Sequence, residues 1–195
     1  SGVESLLSDE MRYAVAYQTI LVDYGHWHHA NTLFHHWYAK IPCSSKLFRE
    51  LILVHIKGVF FQIENVLAEV WITKIYHSHC TKRCYEEYIE TPAQNIGKRI
   101  DEAKAIAHAC LSLPNLYQID FNSELELILD MCNIYHLSLE QTQFLSDAPY
   151  QFSDRLGHLW QKMQWQCPRQ TVRHLQPFVQ QLPFSTTSAH FWNLY

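Results

Sequence analysis

Apolar residues return every three or four positions along most of this chain, which is the period of an amphipathic helix rather than of a strand. The first predicted helix begins after Ser8, whose hydroxyl can cap it, and ends before Pro42. Gly25 marks a bend or a break within it. One stripe of large apolar side chains follows the whole helix: Tyr13, Tyr17, Ile20, Tyr24, Trp27, Phe34 and Tyr38.

The second predicted helix runs from Lys46 to Tyr76 and carries apolar residues on most of its faces. A helix of that kind is typically buried on all sides, so we expect it at the centre of the fold. Three polar residues interrupt it, namely His55, Glu64 and Glu69. A buried Glu64 that faced a polar side chain of another helix would be a candidate site.

Cap signals predict where the later helices begin and end. Thr91 and Pro92 predict the start of a third helix, which ends before Pro114. A capping box at Ser123 opens the next helix, with a break near His136. Two further starts are predicted at the residues Ser153 and Pro168.

The sequence predicts an all-α fold. No alternating strand pattern is longer than four residues, and five glycines leave few tight turns for a sheet. We expect a single helical bundle of six to seven helices with a long, largely buried second helix. It forms one domain over residues 1–195, with a small C-terminal lobe over 146–195 as an alternative.

The composition indicates a large core and more aromatic side chains than that core needs. Hydrophobic residues make up 48% of the chain and charged residues 17%, and there are 6 Trp, 11 Tyr and 10 Phe. Tyr and Trp are favoured at protein contact surfaces. The net charge of −4 and the absence of a long basic run predict no nucleic-acid partner.

The cysteines and the missing motifs narrow the chemistry further. Six cysteines are widely spread and no signal peptide is recognised, so we expect reduced thiols in a cytoplasmic protein. No apolar run approaches the length of a membrane span, which predicts no membrane partner. The sequence has no glycine-rich phosphate loop, no HExxH and no GxSxG, so no cofactor and no catalytic site are predicted.

The segment from His26 to Trp37 holds five of the thirteen histidines and two of the six tryptophans. Its paired histidines stand seven positions apart, about 10.5 Å along a helix, which is too far for one metal ion to bridge. An aromatic contact surface is the favoured interpretation. Its predicted binding residues are Trp27, His28, Phe34, His35, Trp37 and Tyr38.

The leading functional hypothesis is therefore a non-catalytic protein-interaction or adaptor module. Its partner is another protein, and a homodimer is an alternative. A further alternative is a metal-binding or metal-dependent oxidoreductase bundle. It rests on four soft or borderline ligands within eight residues, namely His77, His79, Cys80 and Cys84.

The second hypothesis, ranked ahead of the metal-binding bundle, comes from the spacing of Arg169 and His174, which resembles the arginine–histidine motif of the HEPN superfamily of small helical ribonucleases. The resemblance covers six residues, and Arg49 with His55 shows a similar spacing. It implies a metal-independent ribonuclease in which Arg169 and His174 bind and activate the RNA phosphodiester across a dimer interface.

Overall fold

The computed structural model describes residues 2–76, 82–143 and 148–167, with side chains described outside 68–94 and 141–153. Within these ranges the chain forms seven α-helices and no strand, which confirms the predicted all-α class. None of the helices described is long and apolar enough to cross a membrane. The helices are α1 (Gly2–Ser5), α2 (Asp9–Asp23), α3 (Trp27–Tyr38), α4 (Lys46–Tyr76), α5 (Lys82–Leu111), α6 (Phe121–Gln143) and α7 (Ala148–Lys162).

The chain divides into two compact units. One comprises residues 1–62 and 102–129, and the other comprises residues 63–101 and 130–195. The helices α4, α5 and α6 each contribute residues to both units. The single domain expected from the sequence stays a prediction.

The first predicted helix is two helices, α2 and α3, because Gly25 breaks it. Gly25 has a φ of 75°, a left-handed conformation that glycine adopts at little cost. The backbone N–H of His26 then donates to the carbonyl of Leu21 at 2.9 Å, which closes the end of α2. The predicted cap at the other end is confirmed, since the Ser8 hydroxyl accepts from the Met11 N–H at 3.2 Å.

The bounds and the burial of α4 agree with the sequence prediction. It runs from Lys46 to Tyr76, and its side chains described between Leu51 and Ile63 include many that are fully buried. Helix α2 packs closely on α4, because a Cβ atom placed on Gly58 would lie only 2.9 Å from Cγ2 of Val22. Glycine at this position therefore permits the close approach of the two helices.

The predicted bounds of the later helices were partly wrong. Helix α5 begins before Pro92, α6 continues through His136 without a break, and α7 begins before Ser153. Cap signals are local, and a helix can extend past an internal residue such as Ser153 because each further residue with a backbone N–H gains a hydrogen bond. Pro92 has no such N–H and gains no bond of this kind. The helix predicted to start at Pro168 lies outside the described residues.

Candidate interaction surface

Two of the predicted contact residues of α3 belong to the core. Phe34 is 1% exposed and Trp37 is 7% exposed. The Phe34 ring stacks on the imidazole of His55, with centroids 3.7 Å apart and planes 9° from parallel. His55 is itself buried in α4. Phe34 and Trp37 therefore anchor α3 within the first unit and present little surface to a partner.

The remaining predicted residues of α3 are divided between packing and exposure. Trp27 is half-buried and makes an edge contact with Phe61, with ring centroids 6.4 Å apart. Tyr38 is half-buried and tilts against the ring of Phe48. His28 and His35 are exposed, and a contact role for them stays a prediction.

The exposed apolar surface of this region lies on α2 instead. Tyr13 is 74% exposed, Tyr17 44%, Ile20 52% and Tyr24 77%. Their spacing of four, three and four places Tyr13, Tyr17 and Ile20 along one line of α2, and Tyr24, the C-cap residue, continues that line at the end of the helix. We call these four residues the α2 stripe. The sequence pattern included them in one stripe with Phe34 and did not separate exposed from buried members.

The opposite face of α2 supplies the core contacts. Its buried residues are mostly small or aliphatic, namely Ala14, Val15, Gln18, Leu21 and Val22. Such side chains allow α2 to approach α4 as closely as Val22 approaches Gly58. Four larger side chains on that face would hold the helices farther apart. Helix α2 therefore carries its largest apolar side chains on the solvent side.

One polar residue breaks the inner face. Gln18 is fully buried, and neither atom of its side-chain amide has a hydrogen-bond partner among the residues described. Burial of an amide without partners costs about 1–3 kcal/mol. Replacing Gln18 by leucine, which has a similar volume, is therefore expected to raise the free energy of unfolding by about 1–3 kcal/mol in urea denaturation.

The control for this prediction is Gln161→Leu, at an exposed position of α7. A surface change of that kind is expected to alter stability by less than about 0.5 kcal/mol. If Gln18→Leu destabilised the protein, the amide would have polar partners in solution and the account of this face would be wrong.

Histidines of α3 flank the α2 stripe. The imidazole of His29 meets the ring of Tyr17 edge-on, with centroids 5.5 Å apart. Farther along α3, the Lys40 ammonium lies 3.0 Å from Nε2 of His36 and 5.5 Å from the centre of the Trp37 ring. His29, His36 and Lys40 are exposed, whereas Trp37 belongs to the core. Within the histidine-rich segment, His29 thus lies against the α2 stripe.

The metal and ribonuclease hypotheses stay predictions. Among the residues described, no group of three His, Cys, Asp or Glu side chains could hold a metal ion. The predicted ligands and ribonuclease residues lie outside the described side chains: His77, His79, Cys80, Cys84, Arg169 and His174. In the other arginine–histidine pair, Arg49 forms an ion pair with Glu124 and His55 stacks on Phe34.

Cys110 is not suited to nucleophilic chemistry. It is fully buried, and burial followed by the influence of Cys43 raises its pKa to about 12. The thiolate, which is the reactive form, is therefore scarce at neutral pH. The Cys43 thiol donates a hydrogen bond to the carbonyl oxygen of Pro114, with Sγ and O 3.7 Å apart. Both residues serve packing in the first unit.

A buried polar network occupies the second unit. The Trp160 indole N–H donates to the hydroxyl of Tyr135 at 2.9 Å, and that hydroxyl donates to Oε1 of Glu64 at 2.7 Å. All three residues are fully buried. Burial first, and then the charge of Glu64, raises the pKa of Tyr135 well above its ordinary value, so the hydroxyl stays protonated. The network joins side chains of α4, α6 and α7 within the second unit.

A groove of about 650 Å³ lies between α6 and α7 in the second unit. Aliphatic side chains of Ile134 and Leu159 line it beside the exposed Asp130, Arg155 and His158. Sites for small molecules typically enclose most of their ligand. An open groove with charges of both signs is typical of the surface between two amphipathic helices.

The chain matches no family model, no curated protein and no solved structure.

Proposed function

We propose that this chain is a non-catalytic interaction module that binds a partner protein through the α2 stripe. The observation that carries the proposal is the exposure of three tyrosines and one isoleucine along a single line of α2. Scattered apolar residues on a surface need no explanation, whereas a contiguous apolar line on one helix is typical of a contact surface.

The size of the stripe supports this function. The exposed parts of its four side chains present about 500 Å² of largely apolar surface, within the range of functional patches on monomers. Tyrosine is also among the residues most often found at the energetic centre of protein interfaces. The stripe therefore combines enough area with a side-chain type suited to binding.

The spacing of the stripe determines what kind of partner fits. Apolar residues at intervals of four and three form the seam by which one helix packs along another. Asp9 and Glu10 lie at the first end of the stripe, near the exposed Arg12, and Asp23 at the other end has its Oδ1 3.9 Å from Nζ of Lys57. The partner element that fits is a helix with an apolar seam of similar length, about three turns.

The test begins with a photoreactive phenylalanine analogue in place of Tyr13 in the full chain. Proteins cross-linked in the native host are identified by mass spectrometry, purified and titrated against the unlabelled chain. We expect binding that weakens at least about 30-fold in the double variant Tyr13→Ser and Tyr24→Ser, because two tyrosine anchors are lost.

The matched control is the single variant Ile119→Asp. Ile119 is exposed and apolar but lies outside α2, and its substitution is expected to leave binding unchanged. Circular dichroism and thermal unfolding establish that each variant is folded. A purified partner that bound the double tyrosine variant as tightly as the native chain would overturn the proposed surface.

A further inference from the structure

The α2 stripe has a property that a surface for an unrelated partner does not need, which is symmetry along its own length. Its members at positions 13, 17, 20 and 24 are spaced four, three and four apart, the same in both directions. When the stripe is read from position 24 to position 13, the side chains occur in the same order, except that Tyr17 and Ile20 exchange places. A contact between two identical subunits about a two-fold axis requires such self-complementarity.

From this symmetry we infer that the helix bound by the α2 stripe is α2 of a second copy of the chain, packed antiparallel to the first. The inference rests on the proposed function and names the partner of that surface. In this pairing Tyr13 lies opposite Tyr24 of the second copy, and Tyr17 lies opposite Ile20. Each aromatic end of the stripe then meets an aromatic end, and the smaller isoleucine fills the centre.

The charges of α2 favour the antiparallel arrangement over the parallel one. Asp9 and Glu10 lie in the first turn, and Glu10 is on the line of the stripe, seven positions before Tyr17. A parallel pair would place the two Glu10 carboxylates together and align the two helix dipoles. The antiparallel pair separates these carboxylates along the seam.

The exposed area predicts how strong this association is. With about 500 Å² from each copy, the stripe buries a total of about 1,000 Å², which is at the low end for specific contacts. A stable dimer buries about 800 Å² on each partner. The dimer is therefore a weak, reversible one, with a dissociation constant on the order of 100 μM.

Sedimentation equilibrium of the full chain from about 10 μM to about 1 mM tests the inference. We expect the average mass to rise from that of one chain towards that of two. Ile20→Asp is expected to remain a monomer throughout, while Ile119→Asp, which makes the same change elsewhere in the same unit, dimerises like the native chain. Tyr24→Ser serves as a second variant if Ile20→Asp does not fold.

Photo-crosslinking determines the direction of pairing. With the photoreactive analogue at position 13, the cross-linked peptide of the second copy is expected to contain Tyr24 and not Tyr13. Cross-links from position 13 to position 13 would overturn the antiparallel arrangement. A mass that stayed that of one chain at about 1 mM would overturn self-association itself, and an equal loss in both aspartate variants would overturn the α2 stripe as its surface.

The failure of this inference is distinguishable from the failure of the proposed function. The chain could remain monomeric while a different purified protein binds it and loses affinity with Ile20→Asp. The α2 stripe would then be the binding surface, and the second copy would be the wrong partner. If the chain is monomeric and no identified protein depends on Ile20, both are wrong.

Discussion

Replacing Phe34 by alanine is expected to lower the free energy of unfolding by about 3–5 kcal/mol. The Phe34 ring is 1% exposed and stacks on the buried imidazole of His55, so its loss removes apolar burial and leaves a cavity beside that imidazole. Tyr38, which tilts against the same ring, loses a neighbour as well. Urea denaturation followed by circular dichroism measures the change.

The neighbouring His35→Ala is the matched control, because His35 lies next to Phe34 on the same helix and is exposed. Its effect is expected to be below about 0.5 kcal/mol. The pair of variants separates a core role for α3 from a contact role. Loss of less than about 1 kcal/mol in Phe34→Ala would show that this ring is not packed in the core.

Replacing Tyr135 by phenylalanine is expected to destabilise the protein by about 2–4 kcal/mol. The change keeps the buried ring and removes only the hydroxyl that links Trp160 to Glu64. The indole N–H loses the acceptor at 2.9 Å, and the carboxylate oxygen loses the donor at 2.7 Å. Each loss leaves a buried polar atom without that hydrogen bond, which costs more when the atom belongs to a charged group.

Tyr13→Phe provides the comparison for this second prediction, since it removes the same hydroxyl from an exposed ring. Its expected effect on the free energy of unfolding is close to zero. Thermal unfolding of both variants and of the native chain measures the two changes in stability. Equal stability of Tyr135→Phe and the native chain would mean that the network in the second unit does not stabilise the fold.

The sequence predicted the helices best where the pattern is unambiguous. Helix α4 has apolar residues on most faces over 31 positions, and its predicted bounds are those observed. Gly25 is predicted as a bend or break because glycine has a low helix propensity, and the structure shows it in the left-handed region. Pro92, in contrast, carried a start signal that the longer α5 overrides.

The sequence was less informative about which face of a helix is buried. Two lines of α2 are apolar, one of large residues such as Tyr13 and one of small residues such as Ala14. Hydrophobicity alone favours the larger residues for the core, whereas the space between α2 and α4 near Gly58 admits only the smaller ones. That space depends on tertiary packing, which periodicity does not record.

The partner of Glu64 was also beyond sequence reasoning. The pattern identified Glu64 as an interruption in a buried helix, and its partner Tyr135 is 71 positions away on α6. No local signal joins two residues so distant in the chain. The sequence could state that a buried carboxylate needs a donor, but only the fold shows that the donor is a tyrosine hydroxyl.

Hydroxyl-radical footprinting of the tyrosines at increasing protein concentration tests the central claim most directly. In dilute solution we expect Tyr13 and Tyr24 to react readily and Tyr135 to be protected. As the concentration rises, the two α2 tyrosines are expected to become protected, while the half-buried Tyr117 keeps a constant reactivity. Protection of Tyr13 and Tyr24 already in dilute solution would contradict the account, because the stripe would then be covered within the single chain.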